Sequence, residues 1–271
     1  MKIVDRGGGT PIVVIPGIQG RWEWMTPAVD ALAQRCRVIT FSLADEPSSG
    51  APFDPSRGFG CYVEQVRAAL DAAGVPRAAI CGMSYGGPIA AAFAARYPGR
   101  TSSLILVSPL PVSWTPDRRV AFYLRAPRLL APIFLLAALR LYAEIAAATP
   151  GFWRGIRAAL RLAWLALTHM SSPGRMARRA RLLAAVDLSA EVARVRMPTL
   201  LITGEPALDR IVPVDASLDY RRIWPHLRVE MLARTGHLGL LTRADDFARM
   251  AVPFAERAAS RSDTDRGRLV G

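Results

Sequence analysis

Six short runs of apolar residues, many of them β-branched, recur along this chain at 12–15, 38–43, 78–81, 104–107, 200–203 and 229–232. Each is four to six residues long and shows little polar alternation. A strand with one wet face alternates; a strand buried on both faces does not. Runs of this kind therefore call for helices packed on both sides of a sheet. Amphipathic stretches do lie between them. Thr26-Pro27 opens one, with Thr as expected N-cap and Pro at the first helical position. Another covers 59–73, stops at Gly74 and is followed by Pro76. A third covers 84–96 and is broken by Pro98-Gly99. The alternation predicts an α/β chain with a mostly parallel, doubly wound sheet. Residues 1–10 leave room for at most one weak strand ahead of it.

This rhythm stops after Pro109. From 112 to 190 no strand pattern occurs, and Leu, Ala, Arg and Trp recur at helical spacing between breaks at Pro127, Pro132, Pro150-Gly151 and Pro173-Gly174. We expect a helical insertion here, entered after the fourth parallel strand. The organisation read from the sequence is a core of 1–111 and 191–260, a helical insertion at 112–190, and an unstructured tail at 261–271. With 271 residues, 51% of them hydrophobic, the chain can bury a full core, and wholesale disorder is excluded.

The formal charge of +13 is concentrated in one segment. Residues 112–196 hold fourteen Arg against Asp117, Glu144, Asp187 and Glu191, an excess of +10. Residues 1–111 contribute +2 and the remainder +1. No reader motif accompanies the basic stretch, so nucleic acid is not an expected partner. A solvated helical surface is one reading of the excess. A surface that draws anionic substrates, or makes weak contact with membrane headgroups, is the other. Cys36, Cys61 and Cys81 have no CxxC spacing and an odd count, which argues against a disulfide framework or a metal site and for small buried hydrophobes. The first residues lack a signal-peptide layout, and the longest uncharged apolar run, 129–139, is too short to span a bilayer. A cytoplasmic location is expected.

The sharpest chemical signal is Gly82-Met83-Ser84-Tyr85-Gly86-Gly87, with the apolar run Ala78-Ala79-Ile80-Cys81 before it and a small-residue helical stretch after it. A tight strand-to-helix turn holds a serine exposed in a strained conformation, and a Cβ at its glycines would strike neighbouring backbone. The helix directs its positive end at the serine. The alternative, an ordinary Gly-rich turn, leaves the dense glycine packing without a reason.

A serine hydroxyl needs a base that is neutral near pH 7. Of three histidines, His169 falls in the insertion and His226 just before the last strand, both suited to surface or packing roles. His237 falls in Arg234-Thr235-Gly236-His237-Leu238-Gly239, just after that strand, where sheets of this class build their sites. Its partner acid should lie between Ser84 and His237 in the chain. Asp209, in the loop after Gly204, fits; Glu205 and Asp215 are rivals, the first too close to the strand end and the second placed to cap the next helix. An acid there would fix the imidazole tautomer and stabilise the imidazolium. Charge growing on a carbonyl oxygen needs two aimed N–H donors, and losing one costs about 3 kcal/mol. Tyr85 N–H is one candidate. Ile18 N–H, in Pro16-Gly17-Ile18-Gln19-Gly20, is the other, with Gln19 as a helper; a plain Gly-rich turn is the alternative for that loop.

Together these residues resemble the α/β-hydrolase superfamily, within it the cap-bearing branch of small-ester hydrolases, haloperoxidase-like esterases and carbon–carbon bond hydrolases. The resemblance rests on Pro16-Gly17, the Ser84 turn, 204–213 and Gly236-His237, and covers nearly the whole core. It implies that the insertion caps the active site and that catalysis needs no cofactor or metal. One departure is Pro16-Gly17, where the family often has His-Gly. An aspartate at the nucleophile position would imply an epoxide hydrolase or dehalogenase; Ser84 argues against both.

The expected activity is that of a carboxylesterase-like serine hydrolase, cleaving an ester or thioester with a small or apolar acyl group through an acyl-enzyme. Carbon–carbon bond hydrolysis or acyl transfer by the same triad is the alternative, and a non-enzymatic receptor of the same fold a minor one. The pocket should lie between core and insertion. Phe134-Leu135-Leu136, Phe152-Trp153 and Trp164-Leu165-Ala166-Leu167 are candidate lining; simple packing of the insertion helices explains most of them equally well.

Overall fold

The computed structural model describes residues 1–132, 138–149 and 151–270, without the side chains of 138, 139, 152, 154, 166 and 262–270. Its strands are β1 (Val4–Arg6), β2 (Thr10–Ile15), β3 (Cys36–Thr40), β4 (Ala78–Met83), β5 (Thr101–Val107), β6 (Thr199–Thr203) and β7 (Arg228–Met231). They form one seven-stranded sheet in the order β1-β3-β2-β4-β5-β6-β7. Only β1 is antiparallel to its neighbour; every other pairing is parallel.

Both faces of the sheet are buried, which is why the central strands lack polar alternation. Val13, Ile15, Ile80, Leu104, Leu106 and Leu201 point into the layer formed with α2 (Gly60–Ala72) and α3 (Gly86–Arg96). Ile12, Val14, Cys81, Ile105, Val107 and Ile202 point into the opposite layer, against α1 (Thr26–Ala33) and the final helix, α8 (Ala244–Val270). Each fully buried aliphatic side chain contributes about 1.5–3 kcal/mol. Cys36 and Cys81 join the second layer, Cys61 is buried on α2, all three are free thiols, and burial pushes Cys81 up to about 12.

The strand order sets the place of the site. From β2 the chain steps outward to β3, beyond which β1 forms the edge; from β4 onward it builds on the other side of β2. The order reverses between β2 and β4, and in open sheets of this class ligands bind outside the carboxyl ends of the strands at such a point.

Between β5 and β6 lie α4 (Arg118–Arg125), α5 (Tyr142–Ala148), α6 (Phe152–Thr168) and α7 (Pro173–Ala184), and among the described residues of this segment there is no strand. Asp117 caps α4 by accepting from Val120 N at 2.7 Å, and Ser172 caps α7, with Pro173 at its first position.

Four sequence expectations need correction. Thr26 is the first residue of α1, not its N-cap, because a 3-10 turn, Trp22–Met25, runs directly into the helix. The segment read as a tail at 261–271 continues α8 to Val270. Extending a helix already nucleated adds a hydrogen bond per residue, so polar composition alone does not end it. Trp153, Trp164 and Leu167 are 71, 61 and 75% exposed and face solvent rather than an enclosed pocket, whereas Leu165 is buried. The phase of α6 decides this, since residues three or four apart share a face. Among the described residues Asp215 makes no capping hydrogen bond; it sits exposed in the first turn of a short helix, Val214–Leu218, that follows Pro213. Phe134-Leu135-Leu136 and the Phe152 and Ala166 side chains lie outside the described residues.

Candidate active site

Ser84 follows β4 directly and adopts φ 51°, a left-handed conformation rare for any residue but glycine. Its backbone is held on three sides: its N–H donates to Val107 O at 2.9 Å, and its carbonyl accepts from Gly87 N at 2.9 Å and Leu110 N at 3.2 Å. The flanking glycines are obligatory. A Cβ on Gly82 would collide with the Gly86 carbonyl, and one on Gly86 would lie 2.6 Å from Ile15 O and 2.7 Å from Pro16 O. Strain of about 1–3 kcal/mol at such a residue persists only where surrounding contacts enforce it, and here they do.

The loop after β2 lies against this serine. A Cβ on Gly17 would sit 3.6 Å from Ser84 Cβ and 3.2 Å from the Gln19 side-chain oxygen. Among the described residues neither Ile18 N–H nor Tyr85 N–H donates to another protein group, so both amides are available to an oxyanion. Tyr85 is the residue from which α3 starts, and its ring is fully buried against Phe59 and Tyr62 at centroid distances of 5.9 and 6.0 Å.

His237 and Asp209 meet across the ends of β6 and β7. His237 Nδ1 lies 3.4 Å from Asp209 Oδ2, with the side chains 7 and 1% exposed. Asp209 Oδ1 accepts from Val212 N at 2.9 Å and Ile211 N at 3.1 Å. Burial pushes the Asp209 carboxyl up, but His237 and these two amides outweigh it and hold the group below the ordinary aspartate value. The loops approach so closely because Gly204 and Gly236 pack backbone to backbone: a Cβ on Gly204 would lie 2.5 Å from Gly236 Cα, and one on Gly236 would lie 2.5 Å from Asp209 N. Ser84 and His237 are each 6% exposed, and no hydrogen bond joins them among the described residues. Such contacts are often long before substrate binds.

The rival residues are occupied elsewhere. Glu205 Oε1 accepts from Arg234 N at 2.7 Å. His226 is exposed, and His169 Nδ1 lies 2.8 Å from Thr168 Oγ1 on the insertion.

Two charged residues of the insertion also reach the site, and the sequence reading missed both. Glu144 of α5 is fully buried, and its Oε1 accepts from Thr235 Oγ1 at 2.9 Å, Gly236 N at 2.7 Å and Leu238 N at 2.5 Å. One carboxylate oxygen thus gathers the loop on either side of His237. Burial pushes the Glu144 carboxyl above its ordinary value despite these donors and the nearby His237. Arg179 of α7, also fully buried, donates to Ile18 O at 2.8 Å, to Asp45 Oδ1 at 2.7 and 3.0 Å, and to Glu46 Oε1 at 2.6 Å. Burial works against its charge, but the two carboxylates prevail and raise its pKa. A Cβ on Gly20 would strike this guanidinium. The only sequence hint was position: Arg179 is four residues from the buried Leu183, on the same helix face.

Two cavities, of about 410 and 580 Å³, are lined by residues around β7 and α8 and around 126–129 and α7. Neither is lined by Ser84, Asp209 or His237. Among the described residues no group of three or more His, Cys, Asp or Glu is placed to hold a metal ion.

The profile of the alpha/beta hydrolase fold family matches residues 10–244, and the chain belongs to that family. It is 28% identical to a 2-hydroxymuconate semialdehyde hydrolase of Pseudomonas putida, over 94% of this chain and 90% of the relative. It is 25% identical to a poly(3-hydroxyalkanoate) depolymerase of Ectopseudomonas oleovorans, over 93 and 87% of the two chains. The crystal structure of an enol-lactonase from Burkholderia xenovorans LB400 superposes with a TM-score of 0.74 at 21% identity, over 93% of this chain and 95% of that one. The shared fold and the hydrolase relatives make this chain a hydrolase of the α/β class.

Proposed function

We propose that the protein cleaves an ester or thioester with an apolar acyl group, using Ser84 as nucleophile, His237 as base and Asp209 as the acid that orients it. The observation that carries this reading is the strained Ser84 turn at the sheet's switch point, with the buried His237–Asp209 pair beside it. With Nδ1 engaged by Asp209, His237 presents Nε2 to the serine. As Ser84 Oγ attacks the carbonyl carbon, its proton passes to Nε2, and the carbonyl π pair becomes an oxyanion held by Ile18 and Tyr85 amides. The oxyanion then collapses, the leaving alkoxide or thiolate takes the proton from His237, and an acyl-Ser84 ester remains. Water, deprotonated by the same nitrogen, repeats the sequence and releases the acid.

The name of the first relative supports a second reading, in which the same groups hydrolyse a carbon–carbon bond beside a ketone. A panel of p-nitrophenyl esters of increasing acyl length, a matching thioester and a vinylogous diketone separates the two. Ester turnover that rises with acyl length and falls about a millionfold in Ser84→Ala supports the first reading. Turnover confined to the diketone overturns it in favour of the second.

A further inference from the structure

Helix α6 turns its apolar side outward. Trp153, Ile156, Leu160, Trp164 and Leu167 follow one another at intervals of three or four residues, so they form a single stripe. They are 71, 36, 63, 61 and 75% exposed, and Met170, just past the helix, is 70% exposed. Inward-facing positions are filled by less demanding residues, such as the half-buried Ala158 and Leu162 and the buried Leu165. This inverts the usual arrangement of a helix on a globular protein, where the apolar stripe faces the core. A contiguous apolar stripe in water marks a surface that something covers.

The charges identify the cover. Arg157 and Arg161 are exposed along one border of the stripe, and the helix contains no acidic residue. Residues 112–196 as a whole carry +10. Two copies meeting face to face with antiparallel helices would set these arginines on the same border, and any two-fold pairing would bring two segments of +10 together. An anionic bilayer takes both features at once: phosphate headgroups face the arginines, while tryptophan and leucine enter the headgroup boundary. Trp is suited to that depth because its ring is apolar and its N–H is polar. Seventeen residues give a helix about 25 Å long, and among the described residues no helix is long and apolar enough to cross a bilayer, so the contact lies in the plane of the surface.

We propose that the outer face of α6 docks the protein on anionic membrane surfaces. This inference is independent of the chemistry at Ser84.

The test is co-sedimentation of the full chain with vesicles of phosphatidylcholine alone or mixed with phosphatidylglycerol. Wild type should pellet with the mixed vesicles, about tenfold less with the neutral ones, and less as salt rises. The double variant Leu160→Glu with Trp164→Glu should lose at least about tenfold in binding. Arg157→Glu with Arg161→Glu should weaken it comparably, without touching the apolar stripe. Thermal melts and far-ultraviolet circular dichroism, unchanged in both variants, verify the fold. Wild type that stays in the supernatant with both vesicles overturns the proposal, as does a stripe variant that pellets like wild type. A lipid-free dimer that the stripe variant converts to monomer, with no vesicle uptake, overturns it in favour of a second copy.

Discussion

The sheet core and the helical insertion are held by different forces. In the core, both faces of β2, β4, β5 and β6 are covered by aliphatic side chains, and the central strand residues are fully buried. The insertion adds Leu183 of α7 to the apolar layer, but it leaves other large apolar side chains in water and reaches the loops of the site through buried charge. Arg179 grips the loop that carries Ile18, and Glu144 grips the loop that carries His237. Non-directional packing suffices for a scaffold, since any well-filled layer will do. Directional hydrogen bonds are used where the position of one loop matters to a fraction of an ångström. The insertion therefore takes part in shaping the site from both sides.

This contrast can be broken most severely at Arg179. Arg179→Ala leaves the buried Asp45 without its counter-charge and Glu46 with Arg175 alone, at 3.1 Å, and should destabilise the protein by about 3–5 kcal/mol, read from denaturant unfolding. A loss well under 1 kcal/mol would mean that the insertion is not fastened there.

Glu144→Ala strips the Gly236 and Leu238 amides of a buried acceptor and should cost about 1–3 kcal/mol. Glu144→Gln keeps an acceptor oxygen and removes the charge. Because burial raises the Glu144 carboxyl, wild type holds its proton longer when folded than when unfolded. Its stability contribution is greatest below the unfolded value and is lost as pH rises through the folded one. Gln should therefore gain on wild type as pH rises from the ordinary carboxylate range upward, measured as the difference between their melting temperatures. A difference that does not vary with pH would contradict the assignment.

Asp209 has the opposite sign. Its carboxyl is held low, so its contribution is present above the unfolded value and lost as pH falls through the folded one. Asp209→Asn should flatten the acid limb of the stability profile. In the core, by contrast, Ile80→Val should cost only about 0.5–1.5 kcal/mol, the ordinary penalty for one methylene. The smallest effect belongs to the outward stripe: Leu160→Glu should change folding stability by less than about 0.5 kcal/mol, because Leu160 is largely exposed. A larger loss there would show that the stripe is part of the fold.

The core was legible in the sequence because its burial leaves a local mark. Strand positions follow the apolar runs, although β5 begins three residues earlier than its run, at Thr101-Ser102-Ser103. Those polar residues are buried by neighbouring strands, which no local pattern records. The serine turn was legible because glycines and a strand-helix junction lie in one short stretch. Glu144 and Arg179 were not. In an arginine-rich helical segment a buried charge has the same local composition as a solvated one, and its partners lie 91 to 161 residues away in the chain. The phase of α6 was hidden for the same reason: periodicity gives an apolar face but not which way it turns.

The central claim, an activated serine at residue 84, is tested most directly by intact mass after incubation with a fluorophosphonate, on wild type, Ser84→Ala and His237→Ala. The account predicts a single adduct on wild type and none on either variant. A folded wild type that takes no label, or a Ser84→Ala protein that still does, would contradict it.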